Sequence, residues 1–278
     1  MRLAAKKTAR LWVINAGFVS LYNRAVSSPE SISRVIHTVG LSKLFGQFPA
    51  VQELSLMVTK GEVFGFLGPN GAGKTTTIKM LMGMLAPSSG KAEIGGMDCF
   101  ADRVAVKRVV GYLPDVPVFY DYLRGREILR FMGQMHGIER DALERRQGEL
   151  MEQLGLSGAA EEYAINYSMG MKKKLGLACA LVHDPPVLIL DEPTNGLDPR
   201  ASRQIQSLIT ESAAGGRTIF LSTHLLDMAE KLCHRVGIID RGHLAAVGTT
   251  SELQGTLAPG GSLEEVFFAV TAQEGSDE

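Results

Sequence analysis

The sequence contains no apolar run of the roughly 18 residues that a bilayer-spanning helix needs. Any work at a membrane would therefore pass through a partner. Cysteine is scarce as well: Cys99, Cys179 and Cys233 are odd in number and far apart. That excludes a disulfide framework or a thiolate metal site and makes a reducing, cytoplasmic setting the expectation. Charge of either sign is not in excess, since 29 Lys and Arg stand against 30 Asp and Glu, for a net charge of -1. A chain so near neutrality is not built chiefly to bind a polyanion such as nucleic acid. Internal repeats are missing, and the only biased stretch is a polar tail over 271–278.

The one charge imbalance lies at the N-terminus. Residues 1–36 hold Arg2, Lys6, Lys7, Arg10, Arg24 and Arg34 against Glu30, about +5, which leaves about -6 for the other 242 residues. Lys6, Lys7 and Arg10 precede LWVINAGFVSLY (11–22), a pattern that imitates a signal peptide. Asn15 interrupts that run, Arg24 follows it closely and no A-x-A site appears. Residues 1–34 therefore read as an extension outside the fold, poorly ordered or a start-site artefact, with a short amphipathic segment as the alternative.

From Val35 the pattern becomes regular. VIHTVGLSKLF (35–45) and VQELSLMVT (51–59) read as strands about the turn-forming GQFP. The apolar GEVFGFLG (61–68) runs into a glycine-rich loop and then a helix, TTTIKMLMGML (75–85), with Met80, Met82 and Met84 expected in the core. Residues 91–98 read as a short edge strand. Between Asp115 and Ala180 the segments EILRFMGQMHG and RDALERRQGELMEQLGL are apolar at helical spacing. Strands return at VLILD (187–191), TIFLST (218–223) and VGIID (236–240). This alternation predicts an α/β domain over 35–270: a mostly parallel sheet covered on both faces, an antiparallel β subdomain, and a helical subdomain inserted over about 116–180.

Chemistry enters at GPNGAGKTT (68–76), which satisfies G-x-x-x-x-G-K-[ST] between a strand and a helix. Gly68, Gly71 and Gly73, with Pro69, Asn70 and Ala72 between them, let the backbone wrap so that successive N–H groups and the helix N-terminus face phosphates. Lys74 is placed to reach the β- and γ-phosphates, Thr75 to ligate Mg²⁺ and Thr76 to reach the α-phosphate. This is a nucleoside-triphosphate site on a P-loop NTPase core. Further on, VLILDEP (187–193) ends an apolar strand in two acids. Asp191 is placed to hold Mg²⁺ through a water, and Glu192 to polarise the attacking water.

GPNGAGKTT, YSMGMKKKLGLACAL, LILDEPTNGLDP and LSTH, in this order and spacing over 35–270, resemble the successive motifs of the ATP-binding cassette family. Within it the chain is most similar to the ATPase subunits of bacterial exporters; DYLRGREIL (121–129) and SLEEVFFAVT (262–271) agree with that placement. The resemblance implies a cytoplasmic ATPase, peripheral on the inner face of the plasma membrane. It would pair with a second copy or a close paralogue and drive integral membrane subunits. It also implies a head-to-tail dimer in which Ser168 and Gly170 face the γ-phosphate of the partner's ATP. Asp198, with Asn195 to Leu197, would couple the two sites, and His224 would contact the γ-phosphate.

Three departures from the family pattern stand out. Met169 occupies a position usually held by glycine in the signature, Asp115 replaces the usual Gln or Glu as a metal contact, and Phe45 is the ring expected on adenine. Of the three lysines Lys172, Lys173 and Lys174, at least two are expected to face solvent. A soluble cassette acting on ribosomes or DNA is the alternative function; such proteins usually carry two cassettes or a long coiled-coil insertion. A P-loop kinase or GTPase lacks the signature motif and needs an N-K-x-D guanine reader that this chain does not have.

Overall fold

The computed structural model describes residues 34–271. The reading of 1–34 as an extension, Arg34 apart, and the polar tail beyond Thr271 lie outside the described residues.

Five parallel strands form the centre: β3 (Val63–Leu67), β6 (Val110–Leu113), β7 (Val187–Asp191), β8 (Thr218–Thr223) and β9 (Arg235–Asp240). With antiparallel β10 (His243–Gly248) at one edge, the sheet order is β10-β9-β3-β8-β7-β6. Every residue of β3, β7 and β8 is buried, as continuous apolar runs in a sheet covered on both faces require. The two faces feed different cores by strict alternation. Phe64, Phe66, Ile189 and Phe220 point to one face, and Val63, Leu188, Leu190, Ile219 and Leu221 to the other.

The first core is closed by α1 (Lys74–Leu81) and an antiparallel sheet of order β2-β1-β4-β5. That sheet is built from β1 (Arg34–Phe45), β2 (Phe48–Thr59), β4 (Ser89–Ile94) and β5 (Met97–Asp98). Phe66 and Phe220 meet there with ring centroids 5.3 Å apart, and each such buried ring contributes about 1.5–3 kcal/mol. The second core lies under α3 (Gly125–Met135), α4 (Arg140–Gln153), α5 (Met169–Leu181) and α6 (Pro199–Ala214). A third, smaller core joins β9 and β10 to α7 (Leu226–Leu232), α8 (Thr250–Leu257) and α9 (Leu263–Thr271).

Several local readings change. The first helix ends at Leu81 rather than Leu85, because Gly83 turns into the left-handed region (φ 61°) where a Cβ would strike the carbonyl of Cys99. Met80 and Met82 are buried as expected, whereas Met84, beyond the helix, is 51% exposed. The edge strand at 91–98 is a hairpin, split by Gly95 and Gly96, both at positive φ. β6, β10 and α2 (Arg103–Val109) were not foreseen.

Candidate functional site

Parallel pairing aligns the carboxyl ends of β3, β7 and β8. Leu67 stands opposite Thr223, and Asp191 opposite Ser222. The loops that leave these ends open onto one cleft of about 640 Å³, the position where open α/β sheets bind ligands. Pro69, Asn70, Gly71, Gly73, Lys74, Thr75 and Thr76 form its floor, Asp115, Glu192, Asn195 and His224 one wall, and Phe45, Phe48 and Ala50 the mouth. Gly68 and Ala72 belong to the loop but not to the wall. Gly68 is pressed so closely on the Ile239 carbonyl that a Cβ could not fit, and Ala72 is buried. Gly73, at φ 110°, leads into α1 against the Ala50 carbonyl, a conformation and a clearance open to glycine.

Polar groups converge on this floor. Lys74, only 6% exposed, donates to the carbonyls of Gly68 (2.6 Å) and Pro69 (3.2 Å), and its ammonium lies 3.5 Å from Glu192 Oε1. Thr75 donates its hydroxyl to Asp191 Oδ2 at 3.0 Å, and Ser222 donates to the other Asp191 oxygen. Glu192 is buried and has φ 46°, a strained conformation for a residue with a side chain. Its environment holds it there. The Glu192 N–H donates to the Ser222 carbonyl (3.1 Å) and hydroxyl (3.2 Å), Lys173 donates to its carbonyl, and His224 Nδ1 sits 2.9 Å from Oε2. Oε1 is buried without a hydrogen bond among the described residues, so a carboxylate oxygen faces the lysine and the cleft.

Asp115 lies on the cleft wall at the end of β6, 3.4 Å from both Lys173 Nζ and Asn195 Nδ2. Burial lowers the Lys173 pKa, and Asp115 is the main group opposing that shift. Tyr112, one turn of strand earlier, is pushed up to about 12 by burial, with Asp191 and Asp115 adding to the effect.

Ser168, Gly170 and Asp198 do not join this cleft. Ser168 caps the N-terminus of α5, accepting from the Met171 N–H at 3.2 Å. Asp198 caps α6, and the N–H groups of Ala201 and Arg200 hold its carboxyl below the usual range. Met169, 45% exposed, turns its side chain outward. A Cβ on Gly170 would meet nothing nearer than Leu197 Cδ2 at 3.7 Å, so no contact within the chain demands glycine there. Of the three lysines, Lys173 is 1% exposed; Lys172 and Lys174 are half-buried.

Two site residues escaped the sequence reading. Phe48 faces Phe45 across the two-residue turn Gly46-Gln47, and both rings are exposed at the cleft mouth. The signal was two aromatics flanking a two-residue turn. Of the three lysines, at least two of which were expected to face solvent, no local pattern marks Lys173 as the buried one.

Thr75 and Asp191 offer hard oxygen donors of the kind Mg²⁺ prefers. Among the described residues no cluster of three His, Cys, Asp or Glu could hold a metal unaided. That suits a cation completed by phosphate oxygens and water rather than by a protein cage.

A family model described as ABC transporter matches residues 51–195. The bacitracin transport ATP-binding protein BcrA of Bacillus licheniformis is 42% identical over 215 residues, covering 77% of this chain and 69% of BcrA. The probable multidrug ABC transporter ATP-binding protein YbhF of Escherichia coli (strain K12) is 35% identical over 90% of this chain. The chain spans 46% of YbhF, about half its length. A solved structure described as the ATP binding subunit of an ABC transporter superposes with TM-score 0.80 at 32% identity, over 85% of this chain and 99% of that one. With the phosphate loop, Glu192 after β7 and His224 after β8 meeting in one cleft, the chain belongs to the ABC transporter family, among its ATP-binding proteins.

Proposed function

We propose that the chain is the ATP-hydrolysing subunit of an ABC transporter, engaging a second such subunit on ATP and driving transport through separate membrane subunits. The observation that carries this reading is the convergence on Glu192. Its Oε1 is buried without a hydrogen bond among the described residues and 3.5 Å from the Lys74 ammonium at the root of the phosphate loop, and its Oε2 is held by His224.

Each step falls to a named group. The loop N–H groups and the start of α1 bind the triphosphate, and Lys74 leaves its loop carbonyls for the β- and γ-phosphate oxygens. Thr75 and Asp191 would hold Mg²⁺, which supplies charge neutralisation across the β- and γ-phosphates. Glu192 takes the proton of the attacking water while His224 fixes its carboxylate and reaches toward the γ-phosphate. Phe45 stacks on the adenine, and Thr76 closes on the α-phosphate. Ser168 and Gly170, remote from this chain's own cleft, serve the nucleotide of the second subunit, with Asp198 beside that interface. Asp115 would be placed to reach Mg²⁺ or a metal-bound water once its loop closes.

The second cassette is an identical copy or a close paralogue. Membrane subunits dock on the helical subdomain, about 116–180, where Val118 (86% exposed) and Tyr120 (73%) rim an apolar groove floored by Ile128 and Gly176. Among the described residues no helix is long and apolar enough to cross a membrane; docked on its membrane partners, the subunit would lie on the cytoplasmic face of the plasma membrane. Export is the proposed direction, from the resemblance of the motifs to exporter ATPase subunits. The test is Mg²⁺-dependent phosphate release by the purified chain. Hydrolysis that Glu192→Gln abolishes is expected; hydrolysis at the same rate in that variant would refute the assignment.

A further inference from the structure

Of the three lysines that open α5, Lys173 is the one that penetrates the fold. Lys173 is among the largest fully buried side chains of the described residues, although the lysine type is seldom buried without partners. Its ammonium has two partners from two different loops: the main-chain carbonyl of Glu192 and, at 3.4 Å, Asp115 Oδ1. Asn195 Nδ2 approaches the same Asp115 oxygen, also at 3.4 Å. Asp191 and Glu192 add negative charge around the ammonium. Lys173 also lies on the helix that Ser168 caps, five residues after the cap and one turn from Gly170.

From this arrangement we propose that Lys173 is a positioning residue for hydrolysis. It ties the signature end of α5, and the Asp115 loop, to the backbone of the general base in the same chain. The inference rests on the functional reading above and deepens it. Glu192 holds a left-handed backbone (φ 46°) that its own side chain disfavours. Its N–H is fixed by Ser222, and its carbonyl accepts from two donors, the Lys173 ammonium and the Asn195 N–H at 3.2 Å, of which Lys173 alone comes from outside its own loop. A rigid helix carries Lys173, so a tilt of α5 on engaging the second subunit's nucleotide moves the carbonyl anchor of Glu192. The relay runs from Ser168 and Gly170 through Lys173 to Glu192, with Asp115 as counter-ion. Asp115 is thereby charge-matched to Lys173, which accounts for a short acid where the resemblance leads one to expect Gln or Glu. The ion pair leaves neither a buried ammonium nor a half-buried carboxylate alone.

The experiment compares the full chain with K173Q, K173R, D115N and K173Q/D115N in steady-state ATP hydrolysis at varied ATP and Mg²⁺. K173Q is expected to lower kcat at least about tenfold while KM for ATP moves less than about twofold. K173R, which keeps a cation on both acceptors, should recover to within about threefold of the parent. The double variant should be no worse than K173Q, because both changes cut one link. Parent-like kcat in K173Q overturns the relay. So does a joint loss of kcat and KM in K173Q and K173R, which marks a general structural role, or multiplicative losses in the double variant. If K173Q does not fold, D115N decides. A kcat that stays low at saturating Mg²⁺, whatever the shift in Mg²⁺ half-saturation, supports the relay, and a kcat restored to the parent value at saturating Mg²⁺ overturns it. A parent chain whose hydrolysis is indifferent to Glu192→Gln would instead sink the functional reading itself, a distinct result.

Discussion

His224 Nδ1 lies 2.9 Å from Glu192 Oε2, while Glu192 Oε1 is left buried and without a hydrogen bond among the described residues. One oxygen is anchored by His224 and the other faces the Lys74 ammonium at 3.5 Å; on the proposed reading it accepts the proton once Lys74 moves to the phosphates. Glu192→Gln removes the base and keeps the shape, so kcat should fall about 10²–10⁴-fold with ATP binding retained. His224→Ala leaves the base in place but unheld, and a smaller loss, about tenfold or more, is expected. Phosphate release checks both, with nucleotide affinity measured by fluorescent-ATP titration.

Two glycines near the signature separate folding from function. Gly125, at the start of α3, faces the Tyr167 hydroxyl so closely that a Cβ would overlap it, and that hydroxyl donates to the Ala159 carbonyl at 2.7 Å. Gly125→Ala should therefore cost about 1–3 kcal/mol, read as a fall in Tm. Gly170 has no such neighbour among the described residues. Gly170→Ala should leave Tm unchanged yet reduce hydrolysis, because its clearance serves the second subunit's nucleotide. A Tm loss in Gly170→Ala would count against that role.

The ring of His183 stacks on that of His136, with centroids 3.7 Å apart. Burial first, and His136 second, push the His183 pKa down to about 4 from its ordinary 6.5. The folded chain thus binds fewer protons than the unfolded one between these values, so stability rises with pH in that window. It should be fully present above pH 6.5 and decline as pH falls toward 4. After allowance for partial exposure, the loss is on the order of 1–2 kcal/mol. Melting curves between pH 7 and 5 check this, and His183→Gln should flatten the slope.

Much of the fold was legible because its central strands are short apolar runs with clear punctuation. Pro185-Pro186 introduces β7, Gly215-Gly216 precedes β8, and both strands match their expected limits. β6 was missed since its four residues, VGYL, are too few to show a period. The phosphate loop and the acids Asp191 and Glu192 could be read because each is contiguous in sequence. Lys173 could not, for a reason of distance. Its burial is created by the ends of β6 and β7, which meet α5 only in the folded chain. A lysine between two lysines carries no local mark of that. Phe48 was hidden similarly, its place at the cleft set by the register Phe45 to Phe48 across a turn.

On the proposed reading Ser168 and Gly170, which lie apart from the cleft of their own chain, complete the site of a second subunit, so assembly on ATP is the decisive property. Gel filtration with light scattering of the Glu192→Gln chain in saturating ATP and Mg²⁺ measures it. A shift from the mass of one 30.0 kDa chain to that of two, reversed when ATP is withdrawn, is the expected result. A Glu192→Gln chain that binds ATP and still elutes as a single subunit would contradict the two-subunit mechanism.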